Sequence, residues 1–182
     1  MSLKVVSNAG PLIHLSRIGA LWLLKELFGI VYIPKRVYEE AVIIGIKKGY
    51  RDAYVIKRSI DKGWIKVENV KEIEEISGLH EGEIEAINLA LKMNAILLSD
   101  DSSAREFGRI MGLKVHGSFW VIIESYRRGI IKYEKAEGLI LKLASTMYAS
   151  SEVLSAALKI LKEVRRGKEV QYESKNSRYF KS

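Results

Sequence analysis

The sequence predicts an α/β fold: a three-layer α/β/α arrangement around a parallel central sheet, followed by C-terminal helices. Three observations point there. Short runs rich in Val, Ile and Leu alternate with longer stretches of helical periodicity, as in a sheet buried on both faces. The chain has 182 residues, of which 48% are hydrophobic and 29% charged, enough for one substantial core. No internal repeat and no Pro- or Gly-rich linker divides it. One domain over residues 1–135, with a helical extension and basic tail over 136–182 packed on it, is therefore expected.

The elements follow in order. LKVVS is a short apolar strand that stops at Asn8, and Ala9-Gly10-Pro11 turns into a helix with proline at its first position. LIHLSRIG and LWLLKELF have helical spacing. GIVYIP is a second strand, halted by Pro34, and KRVYEEAVIIGIKKG and YRDAYVIKRSIDKG are helices. WIKVENV alternates as a strand at the periphery of the sheet. A polar loop leads into EGEIEAINLALKMN, a strongly amphipathic helix. AILLS, SSAREFGRIMG and LKVHG read as strand, helix and strand, and FWVIIESYRRGII, EKAEGLILKLAS and SEVLSAALKILKEVRR as closing helices.

Composition narrows the chemistry. There is no cysteine, which excludes disulfides, thiolate zinc sites and cysteine nucleophiles and fits the cytoplasm. No apolar run approaches the roughly 18 residues of a membrane span, and the N-terminus has no signal-peptide pattern. The formal net charge is +8. From Lys47 to Lys71, eight basic residues face three acidic ones, and from Arg165 to Ser182 six face two. Between these lies the Glu-dense KEIEEISGLHEGEIE. A basic surface around an acidic focus suits a polyanion bound near a cation; a solvated Lys- and Glu-rich surface is the plainer alternative.

Ligands of open parallel sheets sit beyond the carboxyl ends of the strands. That rule singles out Asn8 after the first strand and Asp100-Asp101 after AILLS. In the helix EGEIEAINLALK, Glu81, Glu85, Asn88 and Lys92 share a polar face. Glu83 lines up instead with Ala86, Ile87 and Ala90, where a carboxylate needs a cationic partner or serves the helix dipole. In VYEEAVII, Glu40 leans further toward the apolar face than Glu39, so Glu40 is the preferred inward acid; two surface glutamates bridged to Lys35 and Arg36 are the alternative. Asn8, Glu40, Glu83 and Asp101 would thus converge at one sheet edge. Such oxygen ligands suit Mg²⁺ or Mn²⁺, which activate water and stabilise phosphoryl charge. Ser103 and Glu106 have the spacing of a capping box for the helix after AILLS.

VVSNAGPLIHLSRIG, VYIPKRVYEEAV, GLHEGEIEAINLALKMNAILLSDDSSAREFGRIMGLKVHGS and WVIIESYRRGII together resemble a PIN domain, the nuclease fold of many toxin ribonucleases. Within it, the chain is similar to an uncharacterised prokaryotic subgroup of predicted nucleic-acid-binding proteins. The resemblance extends from about Leu3 to Ile131. It implies that Glu40, Glu83 and Asp101 are catalytic and hold the metal, with Asn8, Ser99 and Asp100 in support. Ser99-Asp100-Asp101 stands for the family's T-x-D pattern, and Glu83 for the acid of its D-x-x-x-A pattern. The chain departs from the family in Asn8, an amide in place of a carboxylate, and in Gly10, where a hydroxyl is usual. The implied function is a Mg²⁺- or Mn²⁺-dependent ribonuclease, a toxin with RNA as substrate, an antitoxin protein as partner, and a homodimer as the assembly.

Location alone makes Arg105, Arg127 and Arg128 candidates for phosphate contact, with Tyr126 bordering the groove. His14, His80 and His116 lack ligand spacing and read as structural. The leucines at 139, 141, 143, 154, 158 and 161 read as core or as a dimer surface. Two other functions compete: a PIN-like module that binds nucleic acid or protein without cutting, and a phosphatase- or receiver-like Mg²⁺ protein. The latter requires a nucleophilic Asp where this chain has Asn8. No phosphate-loop or dinucleotide fingerprint is present.

Overall fold

The computed structural model describes residues 4–70 and 78–179, with side chains through residue 168. Residues 71–77, which carry much of the expected Glu-dense stretch, and the side chains of most of the basic tail lie outside the described residues. The strands are β1 (Val5–Ser7), β2 (Val31–Pro34), β3 (Ile65–Glu68), β4 (Ile96–Leu98) and β5 (Val115–His116). They form one sheet in the order β3-β2-β1-β4-β5, with every pairing parallel. All five correspond to apolar runs in the sequence. WIKVENV, which alternates, supplies β3 at one edge of the sheet, where Lys66 and Val67 are exposed. The central strands carry none of that alternation: β1 and β4 are buried at every residue, as both-face coverage requires.

The helices of this α/β/α arrangement are α1 (Ala9–Arg17), α2 (Trp22–Phe28), α3 (Lys35–Tyr38), α4 (Gly45–Lys47), α5 (Arg51–Asp61), α6 (Glu81–Met93) and α7 (Ser102–Ile110). α6 packs Ala86, Ile87, Leu89 and Ala90 onto Val6, Leu97 and Val115, which forms a core cluster over β1, β4 and β5. A departure from the sequence reading lies between α3 and α4. Glu39–Ile44 is π-helical rather than α-helical. The wider turn accommodates an extra residue and changes the direction in which Glu39 and Glu40 leave the backbone. Heptad-like periodicity cannot reveal it, because the apolar residues on either side keep their spacing.

The chain divides into two compact units, Met1–Val121 and Ile122–Ser182. The division falls within α8 (Ser118–Arg127); α9 (Tyr133–Thr146) and α10 (Ser151–Tyr179) belong to the second unit. There, Leu139, Leu143 and Leu161 are buried, Leu154 and Leu158 partly buried and Leu141 half exposed, so the spacing is core in part. Among the described residues no helix is long and apolar enough to cross a membrane.

The π segment is held against α5 at one tight point. A Cβ on Gly45 would stand 2.6 Å from the Cβ of Ala53. Replacing glycine by alanine inside a helix normally stabilises by about 1 kcal/mol. Here Gly45→Ala is expected to destabilise by about 1–3 kcal/mol through overpacking, seen as a lower midpoint in urea unfolding; an unchanged or higher midpoint would refute the close approach.

Candidate functional site

In a parallel sheet the strands end on the same side, so the residues after β1 and β4 are neighbours. The backbone N–H of Asn8 donates to the carbonyl of Leu98 at 3.0 Å, which joins the two exits. The Asn8 side chain donates through Nδ2 to Ser99 Oγ at 2.7 Å, and the same hydroxyl accepts from the Asp101 N–H at 3.2 Å. Asn8 and Ser99 are both buried. Asn8 Oδ1 is also buried and has no hydrogen-bond partner. An unpartnered buried carbonyl oxygen carries a desolvation cost that a donor or a cation would relieve.

The two aspartates of AILLSDDSS have opposite environments. Asp100, whose side chain is buried, accepts from His14 Nδ1 at 2.8 Å, from Ser118 N at 2.7 Å and from Ser118 Oγ at 2.6 Å. Gly117 makes this possible, since a Cβ there would lie 2.9 Å from Asp100 Oδ1. The guanidinium of Arg105 reaches the same point, with Nη1 at 3.8 Å and its buried Nε unpartnered. Asp101 is exposed and caps α7, its Oδ1 accepting from Ala104 N at 2.8 Å. The expected Ser103–Glu106 capping box is therefore replaced by an aspartate cap. The reason is positional: Asp101 is the last extended residue before α7, while Ser103 is already helical.

A second group of acids collects at the start of α6, whose N-terminus lies at the same sheet edge because α6 runs antiparallel to β4. Glu40 leaves the π-helical segment and sets its carboxylate on Gly82, where an added Cβ would meet Oε1 at 2.7 Å and Oε2 at 3.0 Å. Glu39 turns away to pair with Arg36 at 2.9 Å. Although one side of Glu40 is open to solvent, packing around its head desolvates it. That desolvation, with Glu83 and then Glu85 adding like charge, holds its carboxyl above the ordinary range against the opposing pull of His80 and Arg36.

The sorting of acids on α6 requires correction. Glu83 is only partly buried and accepts from the His80 N–H at 2.9 Å, so it closes the helix N-terminus. Glu85, assigned by periodicity to a polar face, is buried and accepts from the Arg36 N–H at 3.1 Å. α3 packs on that face, and its N-cap, Pro34, has no side-chain acceptor to offer. Glu85 thus caps a helix remote in sequence. The missed signal was the proline at that N-cap, which leaves the first amides of α3 in need of an outside acceptor.

Arg127 and Arg128, both in the second unit, are committed to Glu124. Arg127 makes two bonds of 2.6 Å to it and Arg128 one of 2.7 Å. The Arg127 hydrogen bonds, with those of Arg128, hold the buried Glu124 carboxyl below the usual range. These guanidinium groups are therefore ion-paired to Glu124 of α8, which weighs against free phosphate-binding roles.

Among the described residues, no three Asp, Glu, His or Cys side chains form a ready-made metal cage. The donor set nevertheless fits a hard divalent ion in kind. Asn8 Oδ1 is buried and unsatisfied, Asp101 has a second oxygen beyond its cap, and the Glu40 carboxyl is held above its ordinary range by desolvation and like charge. Such ions take oxygen ligands and retain several waters.

Two outcomes follow from these contacts. Asp100→Ala is expected to cost about 3 kcal/mol, since it strands the buried Ser118 donors, whereas Asp101→Ala costs about 1 kcal/mol of capping energy. Equal losses in urea unfolding would overturn the distinction. The raised Glu40 carboxyl adds a pH signature. With its folded value above its unfolded one, the folded state binds the extra proton, so wild-type stability falls as pH rises through and above the ordinary carboxylate range. Glu40→Gln should accordingly gain stability over wild type at pH near 8 but not at pH near 4, values chosen to bracket that range; a gain independent of pH would contradict the cause.

A PIN-domain family description matches residues 4–163. Among solved structures, the chain is similar to a PilT N-terminus domain protein from the hyperthermophilic archaeon Sulfolobus solfataricus. The TM-score is 0.53 and the identity 20%, over 68% of this chain and 93% of that one. It also matches a domain of a functionally unknown protein from Methanocaldococcus jannaschii, with a TM-score of 0.43 and 22% identity, over 63% and 90% of the two chains. No curated protein matches. With its five parallel strands in place and the family match running through nearly all of the described residues, the chain belongs to the PIN-domain family.

Proposed function

We propose that the protein is a divalent-metal-dependent endoribonuclease that hydrolyses phosphodiester bonds at the carboxyl edge of its sheet. The observation that carries this reading is the buried, unpartnered Asn8 Oδ1 at a strand end beside Asp101, on the edge where Glu40, Glu83 and Glu85 gather. Mg²⁺ or Mn²⁺ bound there would activate water and neutralise charge on the phosphoryl group. Asn8 and Asp101 would hold the ion from the strand ends, and Glu40 from the π-helical segment, with Glu83 and Glu85 adding negative field.

The remaining residues hold these groups in place. Ser99 fixes the Asn8 amide and the Asp101 backbone through one hydroxyl. Asp100 ties α1 and the start of α8 to the strand end through His14 and Ser118, a positioning role rather than that of a ligand. Arg105, whose Nη1 would stand 3.8 Å from a Cβ on Gly117, offers positive charge for a substrate phosphate. RNA as substrate, a toxin role with an antitoxin protein, and a homodimer all belong to this reading through the family.

A binding module without chemistry is the second reading, favoured by the neutral Asn8 and the lack of a ready-made metal cage. RNA cleavage by metal-stripped protein supplied with Mn²⁺ separates the two. The nuclease reading expects cleavage abolished by chelation and reduced about a hundredfold or more in Asp101→Asn. Asn8→Asp should raise apparent Mn²⁺ affinity by restoring a carboxylate. Wild type as inactive as Asp101→Asn, with RNA still bound, would establish the binding module instead.

A further inference from the structure

At the opposite edge of the sheet, where the strands begin, a cleft of about 410 Å³ opens between the end of α1, the start of α2 and the end of α5. Trp64, immediately before β3, is its buried floor, and its carbonyl accepts from the Val31 N–H at 2.9 Å. Trp22 stands on the wall with 43% of its surface exposed. Lys25, Arg58 and Lys62 line the same cleft, against a single acid, Glu26.

These three cations differ from their neighbours. Arg17 is paired with Asp52 and Lys57 with Asp61, and the Lys57 bonds of 2.8 and 3.1 Å occupy the acid closest in sequence to Arg58 and Lys62. Lys25, Arg58 and Lys62 have no ion-pair partner among the described residues. Unpaired positive charge around an exposed indole is the combination that takes single-stranded nucleic acid, with phosphates on the cations and a base on the ring. A second copy of a chain with formal charge +8 would oppose like charge here.

We infer that this cleft is a secondary binding site for single-stranded RNA, remote from the carboxylate edge, with Trp22 as base platform and Lys25, Arg58 and Lys62 as phosphate contacts. It rests on the reading of RNA as the substrate. The RNA held there anchors the strand, while a separate part of it is presented to the opposite edge.

The test is fluorescence anisotropy with a short labelled oligouridylate, in chelator so that no cleavage occurs, repeated across salt concentrations. Arg58→Gln/Lys62→Gln should weaken binding at least about fivefold and flatten the slope of log affinity against log salt by about one. Trp22→Leu should weaken binding by about fivefold or more with the salt slope unchanged, because stacking is not ionic. Unaltered urea midpoints would show that both variants remain folded. Wild-type affinity and slope in both variants would overturn the site. So would unchanged RNA binding combined with weakened binding of poly-L-glutamate, which would assign the cleft to an acidic protein. If the wild type binds no oligouridylate yet cleaves RNA with Mn²⁺, the cleft proposal fails and the nuclease reading stands; if it binds through the cleft but never cleaves, the reverse holds.

Discussion

The parallel pairing of β1 with β4 is the constraint on which the rest depends. Val5, Val6 and Ser7 lie beside Ile96, Leu97 and Leu98 in register, and the Asn8–Leu98 bond extends the pairing by one step. Both strands are buried, so a slip of one residue would exchange the faces of every side chain and is prohibitively unfavourable. With the register set, Asn8 must meet Ser99. The Ser99 N–H donates to the His116 carbonyl at 2.9 Å, which carries the same order to β5 and on to Ser118. Asp100 then closes the circuit through Ser118 and His14. The candidate site is therefore held at the strand ends by backbone pairing, and its side chains inherit their positions from the sheet.

This explains why two adjacent aspartates serve different ends. Successive residues leaving a strand point in opposite directions. Asp100 follows the inward direction into a pocket that Gly117 keeps open, and Asp101 turns outward into the helix cap. A cap does not exclude a ligand, since capping occupies one carboxylate oxygen and leaves the other. The inner acid, saturated by three donors, has no such reserve. Within the proposed metal-dependent reading Asp101 is therefore the ligand candidate despite its exposure, and Asp100 the more important for integrity.

Much of the fold was legible because the determining signals are local. Apolar runs bounded by turn residues marked all five strands, and strict alternation separated edge strand β3 from the buried centre. What failed depends on contacts distant in sequence. Glu85 looked solvent-facing because Glu81, Asn88 and Lys92 share its helical face, yet α3 covers that position and supplies the Arg36 amide. The π turn at Glu39–Ile44 was hidden for a related reason: it is flanked by the close approaches of Gly45 to Ala53 and of Glu40 to Gly82, which no local window contains. Arg127 and Arg128 looked available because Glu124 is an inconspicuous neighbour at i−3 and i−4.

The charge distribution gives the strongest physical reason to regard the carboxyl edge as a site and not only as structure. Glu40, Glu83 and Glu85 crowd one helix start in a protein with eight more basic than acidic residues. Two of them have structural duties, capping α6 and α3. Glu40 has none: its carboxylate makes no hydrogen bond among the described residues, and the nearby Arg36 is shared between Glu39 and Glu81. An acid whose desolvation and like-charge neighbours outweigh its nearby cations lowers stability, and a neutral side chain of the same shape would remove that cost. A bound cation would turn the same repulsion into affinity. The unsatisfied Asn8 oxygen is a separate cost at the same edge, which a donor or a cation beside it would relieve. The raised Glu40 carboxyl and the unsatisfied Asn8 oxygen are thus two independent costs on the carboxyl side of the sheet, and they are the physical basis of the metal-binding proposal.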